Sequence, residues 1–159
     1  MSENKIWYHI DNYPPYPVPE GIVVIDSIDK LEANKKLVSK SIDLFNANVD
    51  YDDMWNMVEA SRRVHRGEKL FLSTVKEEYS WRNKQLTKVV PLGFVWFKEN
   101  YLYNMFMHSS RPEGHTVKFV RACFNLVFYR SITLYCDEWN IRAQKMFEKL
   151  GFRRIKRVV

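Results

Sequence analysis

The stretch that most constrains the fold begins after residue 115. "VKFVRACFNLVFY" (Val117–Tyr129) is apolar on most sides at helical spacing and reads as a well-buried helix. "SITLYC" (Ser131–Cys136) is a β-branched strand, "EWNIRAQKMFEKLG" (Glu138–Gly151) an amphipathic helix stopped by glycine, and "FRRIKRVV" (Phe152–Val159) a last strand. A further strand, "YLYNMFMHSS" (Tyr101–Ser110), precedes the run. A strand, helix, strand crossover places its two strands parallel in one sheet.

Upstream the pattern changes. "KLFLSTVKE" (Lys69–Glu77) and "KVVPLGFVWFKEN" (Lys88–Asn100) read as strands separated by a polar connector, "EYSWRNKQ" (Glu78–Gln85). A tight turn near Glu99-Asn100 leads into Tyr101, so the three strands form an antiparallel meander. Pro91 and Gly93 predict a bulged or edge start to the second strand. "IVVID" (Ile22–Asp26) is a strand, and Ser27 or Asp29 opens a helix to about Phe45 with Leu31, Leu37, Val38, Ile42 and Phe45 on one side. The segment from Asp50 to Gly67 reads as a second helix with a stripe of Tyr51, Met54, Trp55 and Val58. "NYPPYPVPEG" (Asn12–Gly21) is stiff and extended, after a short first strand at Ile6–Ile10. The class is α/β: a mixed, mostly antiparallel central sheet with helices on both faces. Residues 1–20 are expected to be an N-terminal extended segment and 21–159 a single domain.

A length of 159 residues with 46% hydrophobic and 15% aromatic content suits one packed domain. No apolar run has the roughly 18 to 20 residues of a membrane span, and the start lacks a signal pattern. Cys123 and Cys136 lie in apolar segments without metal-ligand spacing, so they read as reduced core thiols of an intracellular, cytoplasmic protein, and no metal is expected. Charge is uneven. From Arg111 to Val159 there are eleven Lys/Arg and four Asp/Glu, so residues 1–110 carry about −1 of the overall +6. A basic half fits an anionic partner, a nucleotide cofactor or a nucleic acid; it fits a solvated face as well. "SRRVHRG" (Ser61–Gly67) is a cationic helix end, suited either to the helix dipole or to phosphates. Tyr79, Trp81 and Arg82 interleave aromatic and cationic groups, as base stacking requires and as a folded-back loop also allows.

The loop Arg111-Pro112-Glu113-Gly114-His115-Thr116 leaves a strand and opens the buried helix. A helix N-terminus offers free N–H groups and the positive end of its dipole to an anion. Gly114 permits close backbone approach, Arg111 adds charge, and Thr116 can cap. The element order, with Arg111-x-x-Gly114-x-Thr116 and Asn140-x-x-Ala143-x-x-x-Phe147-x-x-x-Gly151-Phe152, resembles the GNAT acyltransferases, the acetyl-CoA-dependent N-acetyltransferases. The element order covers about Gly21 to Val159, and the motifs the last third.

The resemblance implies a GNAT-like acyl-CoA N-acyltransferase fold in which the strands Tyr101–Ser109 and Ser131–Cys136 splay into a V. The pantetheine arm of acetyl-CoA or a related acyl-CoA would lie in that V. Its pyrophosphate would rest on the amides of Gly114, His115 and Thr116, with Asn140 at the cofactor arm or pinning the loop. Gly151-Phe152 would end the helix in a left-handed turn and bury a ring. Acyl transfer to an amine needs a deprotonated amine, a stabilised oxyanion and a protonated thiolate. Backbone N–H groups around Met105, Phe106 and Met107 are the candidates for the oxyanion, and His108, or Glu99 through water, for the base. Phe147 stands where the family often has its proton-donating tyrosine and cannot donate. Tyr135 and Tyr103 are the remaining candidate acids. The expected partners are a CoA thioester and an amine acceptor on a nucleic acid or protein, with no membrane and with a homodimer left open. A catalytically inactive GNAT-like structural or binding protein is the other reading.

Overall fold

The computed structural model describes residues 4–49, 54–127 and 129–156. Seven strands, β1 (Lys5–Asp11), β2 (Ile22–Ile25), β3 (Lys69–Trp81), β4 (Lys84–Lys98), β5 (Tyr101–Met107), β6 (Ser131–Asp137) and β7 (Arg153–Ile155), form one sheet. Their order is β2-β3-β4-β5-β6-β1-β7. Five helices, α1 (Ile28–Ala33), α2 (Lys35–Asn46), α3 (Met57–His65), α4 (His115–Val127) and α5 (Ile141–Lys149), cover it. The expected mixed, mostly antiparallel sheet is present.

Strand alternation divides the core in two. Leu70, Leu72, Phe94 and Trp96 join Leu31, Val38, Ile42, Phe45, Ala60 and Val64 beneath α1–α3. Phe71, Val95 and Phe97 join Phe119, Cys123, Phe124 and Phe147 beneath α4 and α5. Each large apolar side chain buried in these layers stabilises the fold by about 1.5–3 kcal/mol.

β1 lies inside the sheet. It pairs antiparallel with β6 from Lys5↔Asp137 to Asp11↔Ser131 and with β7 from Trp7↔Ile155 to His9↔Arg153. Tyr8 and Ile10 thereby enter the core. The proline segment that follows crosses α4, where the Tyr13 hydroxyl donates to the Phe124 carbonyl at 2.8 Å.

Three expectations about local structure change. The helix expected over residues 27–45 is two, α1 and α2, broken at Asn34 (φ −112°, ψ 19°), whose side chain donates back to the Lys30 carbonyl at 2.8 Å. The helix expected from Asp50 begins at Met57, because Asn56 is an extended N-cap accepting from the Glu59 amide at 2.9 Å. Trp55 is buried ahead of it while Met54 and Val58 are exposed, so the predicted stripe is replaced by Ala60 and Val64; Tyr51 lies outside the described residues. The polar connector is strand as well: β3 and β4 pair out to Trp81↔Lys84 around Arg82 and Asn83, both at positive φ, as a two-residue hairpin turn requires. The bulge predicted near Pro91 and Gly93 is present, since Ser73↔Gly93 is followed by Thr74↔Pro91. Residues 157–159 of the last predicted strand lie outside the described residues, as do Asp50, Asp52 and Asp53 of the second predicted helix and Phe128 of the buried one.

Candidate functional site

β5 and β6 run parallel but share a single register pair, Tyr101↔Thr133, reinforced by the Thr133 amide donating to the Asn100 carbonyl at 3.0 Å. Beyond that point they diverge. β5 remains paired to β4 on its other side, and β6 to β1. The wedge between them is a cleft of about 330 Å³ whose walls include Tyr103, Asn104, Tyr135, Asp137 and Phe147. It adjoins an outer groove of about 920 Å³ at the N-terminus of α4, and Met105, Asn140 and Ala143 line both. A bulge falls at the narrow end: Trp96↔Asn104 is followed by Phe97↔Leu102, so Tyr103 is the extra residue. Bulges re-aim side chains.

α5 places the floor of the cleft. Asn140 is its N-cap, accepting from the Ala143 amide at 3.1 Å. Gly151, at φ +99°, ends the helix with the Phe152 amide donating to the Phe147 carbonyl at 3.0 Å and its own amide to Glu148 at 3.0 Å. Phe147 and Phe152 are buried, and the Phe147 ring meets Tyr8 edge-on at 5.5 Å.

The loop at α4 differs in detail from expectation. Gly114 sits at φ +77° with open space where a Cβ would be, so backbone is accessible there. The His115 amide donates to the Pro112 carbonyl at 3.1 Å and is not available to a ligand. The Thr116 hydroxyl is within the first helical turn rather than capping it, and it is buried without a hydrogen-bond partner. Such an orphaned hydroxyl beside an accessible glycine backbone fits an anionic group in the groove. His115 turns inward, its Nε2 2.6 Å from the Ser73 hydroxyl, and burial, then Lys118 and Arg111, hold its pKa below the usual value. The Arg111 guanidinium donates to the His108 carbonyl at 3.1 Å and lines the groove.

Of the candidate acids and bases, Tyr103 and Tyr135 line the cleft. Tyr103 donates its hydroxyl to the Glu68 carboxylate; burial first, and then this bond, push the phenol well above its usual pKa. Glu68 is itself buried and paired with Arg66 at 3.1 Å. His108 lines neither cavity: its Nδ1 accepts from the Ser110 amide at 3.2 Å. Glu99 is exposed in the β4–β5 turn. Met105, Phe106 and Met107 all line the groove.

Four groups escaped the sequence reading. Arg142, Lys145 and Lys149 join Arg111 along the groove, with Glu113 the one opposing carboxylate among the lining residues. Their i, i+3, i+7 spacing marks one face of α5 and was available as a signal. Glu68 gave none, because its partner is thirty-five residues away. Among the described residues no group of His, Cys, Asp and Glu is placed to hold a metal, and no helix is long and apolar enough to cross a membrane.

No family model and no curated protein matches the sequence. Solved structures do match the fold. A protein from Novosphingobium aromaticivorans, described only by assignment as an acetyltransferase of the GNAT family, superposes with a TM-score of 0.58 at 14% identity over 98% of this chain. A conserved protein of unknown function from Staphylococcus epidermidis gives 0.55 at 11% identity over 95%. A GCN5-related N-acetyltransferase from Sphaerobacter thermophilus gives 0.50 at 14% identity over 98%. This chain spans 62%, 57% and 50% of those three chains. The likeness is one of fold: the chain has the GNAT, acyl-CoA N-acyltransferase, architecture.

Proposed function

We propose that the chain is an N-acyltransferase that takes an acetyl or similar acyl group from CoA to an amine. The observation that carries this reading is the V, two parallel strands joined at Tyr101↔Thr133 and open beyond it, with a basic groove at its wide end. Unpaired strand backbone can bond an extended, amide-bearing arm as an added strand would. At the wide end Arg111, Lys145, Lys149 and the α4 N-terminus would hold phosphates.

The bound thioester supplies an acyl carbon already activated for attack. The chain's own residues do the rest. Backbone N–H groups of the Met105–Met107 stretch face the oxyanion role, and the cleft walls exclude water and orient the amine. Phe147 lines the cleft without a proton to give, and the Tyr103 proton is committed to Glu68. Tyr135 is therefore the acid in this reading. The test is release of free CoA from acetyl-CoA across a panel of amines, expected for the wild type and reduced in Tyr135→Phe at unchanged acetyl-CoA affinity. Equal rates in the two would remove Tyr135 from the scheme.

The acceptor amine is read as macromolecular, on a nucleic acid or protein. The support is the β3–β4 ribbon beyond Thr74, exposed and carrying Tyr79, Trp81 and Lys88, with the Arg82 guanidinium 4.3 Å from the Trp81 ring centroid. A second reading, a catalytically inactive GNAT-like structural or binding protein, is favoured by Phe147 and by the loop at α4, where the His115 amide is taken up by the Pro112 carbonyl. Binding of acetyl-CoA without CoA release on any amine would support it.

A further inference from the structure

The narrow end of the V is bordered, on the face away from α4 and α5, by a part of the sheet that α1–α3 do not pack against. The core under those helices draws on β2 to β5, whereas β6 and β1 present Tyr135, Lys5 and Trp7 on this side as partly or fully exposed groups. The rings form a connected floor: Trp7 to Tyr135 is 5.0 Å, Trp7 to Tyr101 6.2 Å and Tyr101 to Tyr135 6.1 Å between centroids. The Lys5 ammonium rests on it, 4.3 Å from the centre of the Tyr135 ring. Tyr135 is also a wall of the narrow cleft, and Asp137, the register partner of Lys5, is another. Among the described residues no lysine lines that cleft, and the two that line the outer groove, Lys145 and Lys149, stand at its phosphate end.

We propose that Lys5 is a self-acylation site, its ε-amine taking the acyl group of a thioester held in the V. The proposal rests on the acyltransferase reading above. The Lys5 ammonium first loses one proton to water. The amine nitrogen then attacks the thioester carbonyl carbon; the C–N bond forms and the C–S bond breaks. The leaving thiolate takes up one proton, and the new amide nitrogen releases its extra proton to water. The products are an N-acyl-lysine and a free thiol, with no oxidant or reductant involved. Lys5 and Tyr135 line one outer cavity of about 740 Å³, Tyr135 lines the narrow cleft as well, and tethering on β1 makes transfer across that shared ring effectively unimolecular. Acylation also removes the Lys5 charge and with it the cation–π contact to Tyr135, leaving the aromatic floor free for an incoming amine.

Incubation of the full chain with acetyl-CoA, followed by intact mass and peptide mapping, tests this. The expected result is one acetyl group on Lys5, at a rate independent of protein concentration. That rate should exceed by about tenfold or more the labelling of other lysines and of Lys5 in urea-unfolded chain. Lys5→Arg, which keeps the positive charge on the ring, should abolish the single-site label. Calorimetric titration of acetyl-CoA runs alongside. Binding with Lys5 labelled no faster than other lysines, or with the label on the N-terminal amine instead, overturns the proposal and leaves the acyltransferase reading standing. Absence of binding overturns both.

Discussion

Tyr101 and Thr133 form the one register pair that joins β5 to β6, and the strands part from there toward Met107 and Asp137. Everything assigned to the site depends on that wedge staying open. Ala143 lines both of its cavities. In Ala143→Phe the added ring fills the shared floor, so acetyl-CoA affinity should fall about tenfold or more. Because the ring enters open space, thermal unfolding should shift by only a few degrees. Calorimetry and a melting curve check the two halves separately. Unchanged affinity would place the ligand elsewhere.

Phe147 is the position where packing and chemistry separate. Its ring is buried between Tyr8 at 5.5 Å and Phe152 at 6.1 Å. Phe147→Ala should cost about 3–5 kcal/mol in denaturant unfolding. Phe147→Tyr keeps the ring and adds a phenol at a residue that lines the cleft. CoA release should rise with acetyl-CoA affinity nearly unchanged. No release in either form would favour the non-catalytic reading.

The outer groove owes its charge to α5. Lys145 and Lys149 stand on it with Arg142, and Arg111 faces them from the loop. Lys149→Glu should weaken acetyl-CoA binding by about tenfold, roughly 1.4 kcal/mol. Raising salt should reduce the difference between variant and wild type, as screening does for exposed charges. Dephospho-CoA and pantetheine, with fewer phosphates, should lose less.

His115 makes stability depend on pH. Burial and its cationic neighbours depress its folded-state pKa, while the unfolded chain titrates near the ordinary value of about 6.5. Between those values the unfolded chain binds more protons, so the His115 contribution is present above about 6.5 and is lost as pH falls toward the folded value. His115→Gln should flatten this part of the melting-temperature profile between about pH 7 and pH 5. An unchanged slope would assign it to other groups.

What was legible in the sequence was local chemistry. Gly151 as the stop of α5 follows from residues within one helix and its end, while the left-handed turn and the buried Phe152 ring, both present, were what the family resemblance implied. Asn140, expected at the cofactor arm or pinning the loop, caps α5. The crossover and the strand order of the meander followed from period and turn residues. Asn34 and Asn56 misled because an asparagine can interrupt or cap a helix, and periodicity alone carried straight through both. The ribbon was hidden because an Arg82-Asn83 turn is polar and needs positive φ at both positions. The placement of β1 beside β6 and the Tyr103–Glu68 bond lie beyond any local signal, since each joins segments far apart in the chain.

The central claim, that the V and the basic groove together are an acyl-CoA site, is tested most directly by isothermal titration of acetyl-CoA into the wild-type chain and Ala143→Phe. Saturable one-to-one binding that the variant loses, with its fold intact, is the predicted result. No heat of binding at millimolar acetyl-CoA, or equal binding by both chains, would contradict it.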